Sequence, residues 1–337
     1  MKKLNLFLSV VIGGAFLYFA FKGVNLSDVL AAFQKADYIY IIPSMAALAL
    51  YIVVRTYRWG LIFRPGRIPS FRGRLSSILI GIMANNIFPA KLGEVARAFI
   101  IGKSDSVNVS RTFGTIILER VFDFLALIFF LVVIALASPV ERGIVFKSSG
   151  IMLAGFITTA AGFIGILTAL LAVKFWTAQA AKYAGKAAGI FSKQAAERIS
   201  GLVISFAEGL RPLDDPWNAA KIFIVSLGQW CLSGLMTYLM MLAFGINLTP
   251  VSSFFVFIVM TLGVVIPPSP GGVGTTQFFA IYCLSWYNVG QPDALSFSLV
   301  SNFMVFAVLT LAGWYFLIKE SLKFGDILGA TREKEKS

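Results

Sequence analysis

The sequence predicts an all-α polytopic membrane protein, with about six transmembrane helices plus two re-entrant hairpins arranged as an inverted repeat. Three observations carry that expectation. Hydrophobic residues make up 58% of the 337 residues and charged residues only 13%, with a mean hydropathy of +0.83, well beyond what the core of a soluble domain needs. Several windows reach the roughly 18 to 20 apolar residues that cross a ~30 Å hydrocarbon layer as a helix, and none alternates like a barrel strand. Lysines and arginines, finally, gather on one side of the membrane only if two short apolar runs return to the side they left.

The elements follow in order. Lys2 and Lys3 precede the apolar run 4–21, and Lys22 spoils a small-residue cleavage site, so this run reads as a retained span rather than a signal peptide. Further spans are expected over 38–59, 114–137, 150–173, 218–244 and 297–318. Two shorter runs, 75–89 and 251–266, end in the proline-bearing turns "IFPAKLGE" and "PPSPGGVG", and such interrupted segments read as re-entrant. With a cytoplasmic N-terminus, the loop 55–74 with Arg55, Arg58, Arg64, Arg67, Arg72 and Arg74 lies inside, as do Lys174, Lys182, Lys186, Lys193, Arg198 and Arg211. The C-terminus then falls inside too, and the expected location is the cytoplasmic membrane.

The order span, span, hairpin, span occurs twice in opposite orientation, giving pseudo-repeats of about 1–137 and 150–318 within an integral membrane domain 1–322. Residues 174–217 mix Tyr183, Ile190, Leu202 and Phe206 with Lys182, Lys186 and Arg198. They read as a cytoplasmic amphipathic linker, either interfacial or packed on the protein. Residues 323–337 read as a solvated tail.

Composition also narrows the chemistry. The chain has no histidine, which removes the usual triads and zinc sites, and Cys231 and Cys283 lie in apolar segments without metal or redox spacing. No catalytic residue, metal or cofactor is expected, and no phosphate-binding loop of the G-x-x-x-x-G-K-[ST] type is present. The formal charge of +13 is explained by basic loops facing anionic headgroups rather than by nucleic acid.

Candidate substrate-binding residues cluster in three places. Asn85, Asn86, Lys91, Glu94 and Arg97 sit at the tip and returning arm of the first hairpin, where Glu94 and Arg97 share a helical face. Lipid-facing charges are costly, so these point into a polar interior. They either pin the hairpin by neutralising each other or bind a headgroup. Glu119, Arg120 and Asp123 lie one to two turns inside the span "GTIILERVFDFLAL". Two acids against one base leave a carboxylate to be partnered by Arg97 or Lys91. In the second hairpin, Ser269, Gly271, Gly272, Gly274, Thr276 and Gln277 follow three prolines, and a helix restarting at Gly274 aims backbone N–H groups at the break.

These stretches, "NNIFPAKLGEVARAF" at 85–99, "LERVFD" at 118–123 and "PPSPGGVG" at 267–274, resemble the transmembrane region of lysylphosphatidylglycerol synthetases. That region is the flippase-like half of the multiple peptide resistance factor, and it has stand-alone relatives. The resemblance covers nearly the whole chain and implies movement of lipids or lipid-linked intermediates between leaflets. Lys91 stands where arginine is expected and Gln277 where relatives often carry glutamate, and no segment resembling the aminoacyl-transferase domain follows.

The leading expectation is therefore a lipid translocase of flippase or scramblase type, not an enzyme, that passes headgroups through a polar groove between the hairpins. Its partners are membrane lipids with charged headgroups, and the sequence is compatible with a homo-oligomer and with a lipid-modifying enzyme partner. A small-solute transporter on the same repeat and an enzyme acting on lipid-linked substrates are the alternatives.

Overall fold

The computed structural model describes residues 18, 26–87, 92–147, 150–190, 192–265 and 270–320. The expected span 4–21 and the tail 323–337 lie outside the described residues, apart from Tyr18. So do Pro89, Lys91, Pro267, Pro268 and Ser269. Among the described residues every regular element is helical.

A short helix α1 (Leu26–Lys35) leads to the long α2 (Ile41–Ile62), followed by α3 (Phe71–Ile87), α4 (Leu92–Asp105) and α5 (Val109–Ala137). After α6 (Pro139–Lys147), α7 (Gly150–Phe175) turns by 100° into α8 (Thr177–Gly189), which pairs with α9 (Lys193–Glu208). The last group is α10 (Pro216–Ala243), α11 (Pro250–Val265), α12 (Thr275–Ser285) and α13 (Gln291–Lys319).

Four helices among the described residues are long and apolar enough to cross a membrane: α2 with the 3-10 turn before it, α5, α10 and α13. They correspond to four of the six expected spans. Helix α11 is apolar but too short to count, and α3, with 17 residues, is similarly short. The sequence explains where the long helices begin. The Asn108 side chain accepts hydrogen bonds from the Ser110 and Arg111 N–H groups (2.8 and 3.2 Å) at the start of α5. Asp215 accepts from the Trp217 N–H (2.9 Å) with Pro216 at the first helical position of α10.

Packing follows the small residues. Helices α3 and α4 lie against one another, and a Cβ on Gly93 would strike the Gly81 carbonyl oxygen and Asn85, so only glycine permits this approach. Helices α11 and α12 also pack together, α2 runs along α10, and α13 crosses α3. One apolar core, built on Phe255, Ile258, Phe297 and Met241, surrounds α11 and α12. A second, built on Trp59, Ile62, Ile101 and Phe122, fills the space between α2, α4 and α5. The charged cluster lies beside this second core.

The pair α8 and α9 meets through Gly185 and Ser200 and rests on α5, where Ser110 Oγ donates to the Leu202 carbonyl (2.8 Å). Tyr183 and Ile190 remain exposed on it.

Candidate functional site

Helices α2, α4 and α5 bring seven charged side chains together. Glu119, fully buried, stands at the centre. Its Oε1 accepts from Arg55 Nε (3.1 Å) and Nη2 (2.9 Å) and from Arg120 Nη2 (2.7 Å), while Oε2 accepts from Arg97 Nη2 (2.6 Å). Arg58 Nη2 approaches the same carboxylate at 3.6 Å. Asp123, one turn further on, pairs with Arg58 Nη1 (2.6 Å) and Arg120 Nη1 (3.2 Å), and Glu94 pairs with Arg97 Nη1 (3.2 Å). The spacing on α5 explains the arrangement: Glu119 and Asp123 share one face at i,i+4, and Arg120 reaches Asp123 at i,i+3.

Neutral groups hold the arginines in place. The Arg97 guanidinium stacks 4.2 Å from the Trp59 ring, a cation–π contact strengthened by burial. The Trp59 indole N–H donates to Thr115 Oγ1 (3.1 Å). Arg58 Nη1 also donates to Ser226 Oγ on α10 (2.8 Å). Arg58 and Arg97 are almost fully buried, whereas the Arg120 side chain is 44% exposed.

Two sequence expectations change here. Arg55 and Arg58, assigned to the cytoplasmic loop 55–74, instead lie within α2 and are buried. The apolar residues after them, "WGLIF" at 59–63, extend the helix one turn past both. The charge balance consequently reverses, since the two added guanidinium groups leave no carboxylate spare. The signal that marks these arginines in the sequence is the apolar residues on both sides of "RTYR".

Asn85 and Asn86 of the first hairpin hydrogen-bond within the helix packing. The Gly93 N–H donates to Asn85 Oδ1 (2.7 Å), tying α4 to α3, and Asn86 Nδ2 donates to Thr310 Oγ1 on α13 (2.9 Å). In the second hairpin, Gly271, Gly272 and Gly274 have φ of +61°, +71° and +85°, in the left-handed region that favours glycine. The Gly274 N–H donates to Gln277 Oε1 (2.7 Å), and Thr275 Oγ1 donates to the Gly272 carbonyl (3.1 Å). Gln277 is buried and Thr276 half-buried. Asn302 of α13, which the sequence reading did not single out, donates from Nδ2 to the Gly271 carbonyl (3.0 Å). The turn Pro270–Gly272 packs on α3 and α13, so both hairpins meet α13, while the charged cluster is assembled by the first hairpin and its neighbours.

A separate buried carboxylate, Glu141 of α6, accepts hydrogen bonds from Ser138, from Ser252 Oγ on α11 (2.6 Å) and from the Tyr287 hydroxyl after α12 (3.0 Å). Burial pushes the carboxyl pKa up, but the hydroxyl donors outweigh it and hold Glu141 below the usual carboxylate value. Burial and the neighbouring carboxylate push the Tyr287 phenol well above its usual range.

Comparison with known proteins places this architecture. The model of the family "Lysylphosphatidylglycerol synthase TM region" matches residues 6–313, and the chain belongs to that family of multi-pass membrane proteins. Its relatives include a UPF0104 membrane protein of Methanocaldococcus jannaschii, 24% identical over 71% of this chain and 95% of that protein. A UPF0104 membrane protein of Methanothermobacter thermautotrophicus is 25% identical over 84% of this chain and 86% of the relative. Glycosyltransferase AglD of Haloferax volcanii is 26% identical over 86% of this chain, a match that spans only half of AglD. No solved structure matches.

Proposed function

We propose that the protein is a lipid translocase of flippase or scramblase type, in which a headgroup passes between the two hairpins while its acyl chains stay in the bilayer. The observation that carries this reading is the buried cluster on α2, α4 and α5. Seven charged groups inside apolar helices are expensive to keep, and such groups mark substrate or ion pathways by default. The first hairpin contributes Glu94 and Arg97 to that cluster. Membership of a family described by a lipid synthase agrees with a lipid as cargo.

The packing order of the helices supports the inverted repeat that this reading expects. Helices α2, α3, α4 and α5 have the order of α10, α11, α12 and α13. Within each set the two short helices pack together, the long helix before them packs on the first, and the long helix after them packs on the second. Broken segments at corresponding positions of two such halves are the pattern of a transport site near the midplane.

The test is reconstitution of purified protein in liposomes carrying fluorescent lipids, scored by leaflet-selective quenching. Quenching should exceed the half expected for a static outer leaflet, and the double variant Glu94→Gln with Arg97→Gln should stay folded and lose this activity. A folded double variant moving lipid at the wild-type rate would remove the first hairpin from the pathway. A second reading, an enzyme acting on lipid-linked substrates, has the name of the Haloferax relative in its favour. Sugar transfer to a lipid-linked acceptor by the purified chain, without lipid movement, would select it.

A further inference from the structure

Among the described residues, the guanidinium groups of Arg55, Arg58, Arg97 and Arg120 face only three carboxylates, those of Glu94, Glu119 and Asp123. The cluster thus holds one positive charge in excess among apolar helices, where an uncompensated charge is costly.

Idle donors point to the missing partner. Arg58 Nε and Nη2 and Arg97 Nε are buried and have no hydrogen-bond partner; the 3.6 Å from Arg58 Nη2 to Glu119 is too long for one. Nε and Nη2 of Arg58 form one edge of its fork, and such an edge fits two oxygens of a phosphate or carboxylate side by side. The approach is also marked. Arg120 and Glu94 are 44% and 22% exposed at their side chains, against 0% for Arg58 and Glu119. Glu94 is held by one 3.2 Å contact to Arg97, whereas Glu119 is gripped by three arginines through hydrogen bonds.

We infer that the cluster binds one phosphate-type anion, which enters past Arg120, displaces Glu94 from Arg97 and takes up the idle guanidinium edges. Glu119 remains as the fixed acceptor that keeps the arginines converged. Resting on the translocase reading, this names the cargo as a lipid with a net negative phosphodiester headgroup. A zwitterionic headgroup brings its own cation into the site and leaves the excess charge uncompensated, which selects against it.

Ligand-induced thermal stabilisation of the detergent-solubilised full chain tests the site, with dihexanoyl-phosphatidylglycerol, dihexanoyl-phosphatidylcholine and inorganic phosphate as probes. The glycerol lipid should bind at least tenfold tighter than the choline lipid. Glu94→Gln, which removes the competing acid, should tighten that binding at least threefold, and Arg120→Gln should weaken it at least threefold. Protection by inorganic phosphate equal to that by the glycerol lipid would support the anion site and assign it to free phosphate. Equal affinity for both lipids overturns the inference, as does an affinity that neither variant moves. Lipid movement in liposomes without any preference for headgroup charge overturns this inference and leaves the translocase standing. Selective binding without lipid movement does the reverse.

Discussion

Arg97 Nη2 lies 2.6 Å from Glu119 Oε2, so the first hairpin is bolted to α5 by an ion pair that almost no solvent reaches. Removing one partner of such a pair leaves the other charge buried and unpaired, at a cost of about 3–5 kcal/mol. Glu119→Gln is therefore expected to lower the unfolding free energy in detergent by that amount. Glu119→Gln strands Arg55, while Arg97 keeps Glu94. Adding Arg97→Gln takes one cation out of a cluster that has lost its central carboxylate, so the double variant should be less destabilised than the sum of the two single changes. A double-mutant cycle on the same unfolding curves measures the difference.

At the second hairpin, Gln277 and Gly272 are expected to fail in different ways. Gln277→Ala deletes the acceptor of the Gly274 N–H and should cost about 1 kcal/mol, as loss of a cap does. Gln277→Glu retains an acceptor oxygen and should cost less than the alanine. Gly272→Val forces a β-branched residue to a φ of +71°, where the penalty is about 1–3 kcal/mol, and it should also slow lipid movement more than Gln277→Ala does. Melting temperatures and transport rates of the three variants decide the order.

Glu141 gives a pH dependence whose sign is fixed. Its folded carboxyl lies below the ordinary value of 4.5, so its contribution to stability is fully present above that value. The contribution is lost as pH falls through the lower, folded pKa. Acid unfolding of Glu141→Gln should therefore be less steep with pH below about 4.5 than that of the wild type. Tyr287→Phe, which removes one donor, should shift the acid limb toward higher pH. Both follow from stability measured between pH 6 and pH 3.

Topology can be read by labelling single cysteines in a Cys231- and Cys283-free background. Residues 65, 183 and 290 are all exposed. Thiols placed at 65 and 183 should react only from the cytoplasm and one at 290 only from outside. Cytoplasmic labelling at 290 would remove the second hairpin and with it the repeat.

Much of this was legible in the sequence because membranes read composition directly. The long apolar runs around 38–59, 114–137, 218–244 and 297–318 all appear as long helices, and the i,i+3 and i,i+4 spacing of Glu94, Arg97, Glu119, Arg120 and Asp123 anticipates which of them share a face. What escaped was partnership across helices. Arg55 and Arg58 look like loop arginines when loops are assigned by counting positive charges, since that count cannot tell a cation facing headgroups from one facing a carboxylate 64 positions away. Asn302 gave no signal either, because one asparagine in an apolar span acquires meaning only when the Gly271 carbonyl is seen beside it.

Helix α13 carries Asn302 against the turn of the second hairpin and Thr310 against Asn86 of the first. Eight residues separate the two contacts, about 12 Å along the axis. The helix thus acts as a connecting rod. One rigid helix spaces the two turns, and a tilt or slide of α13 that strains one of these hydrogen bonds also changes the geometry of the other.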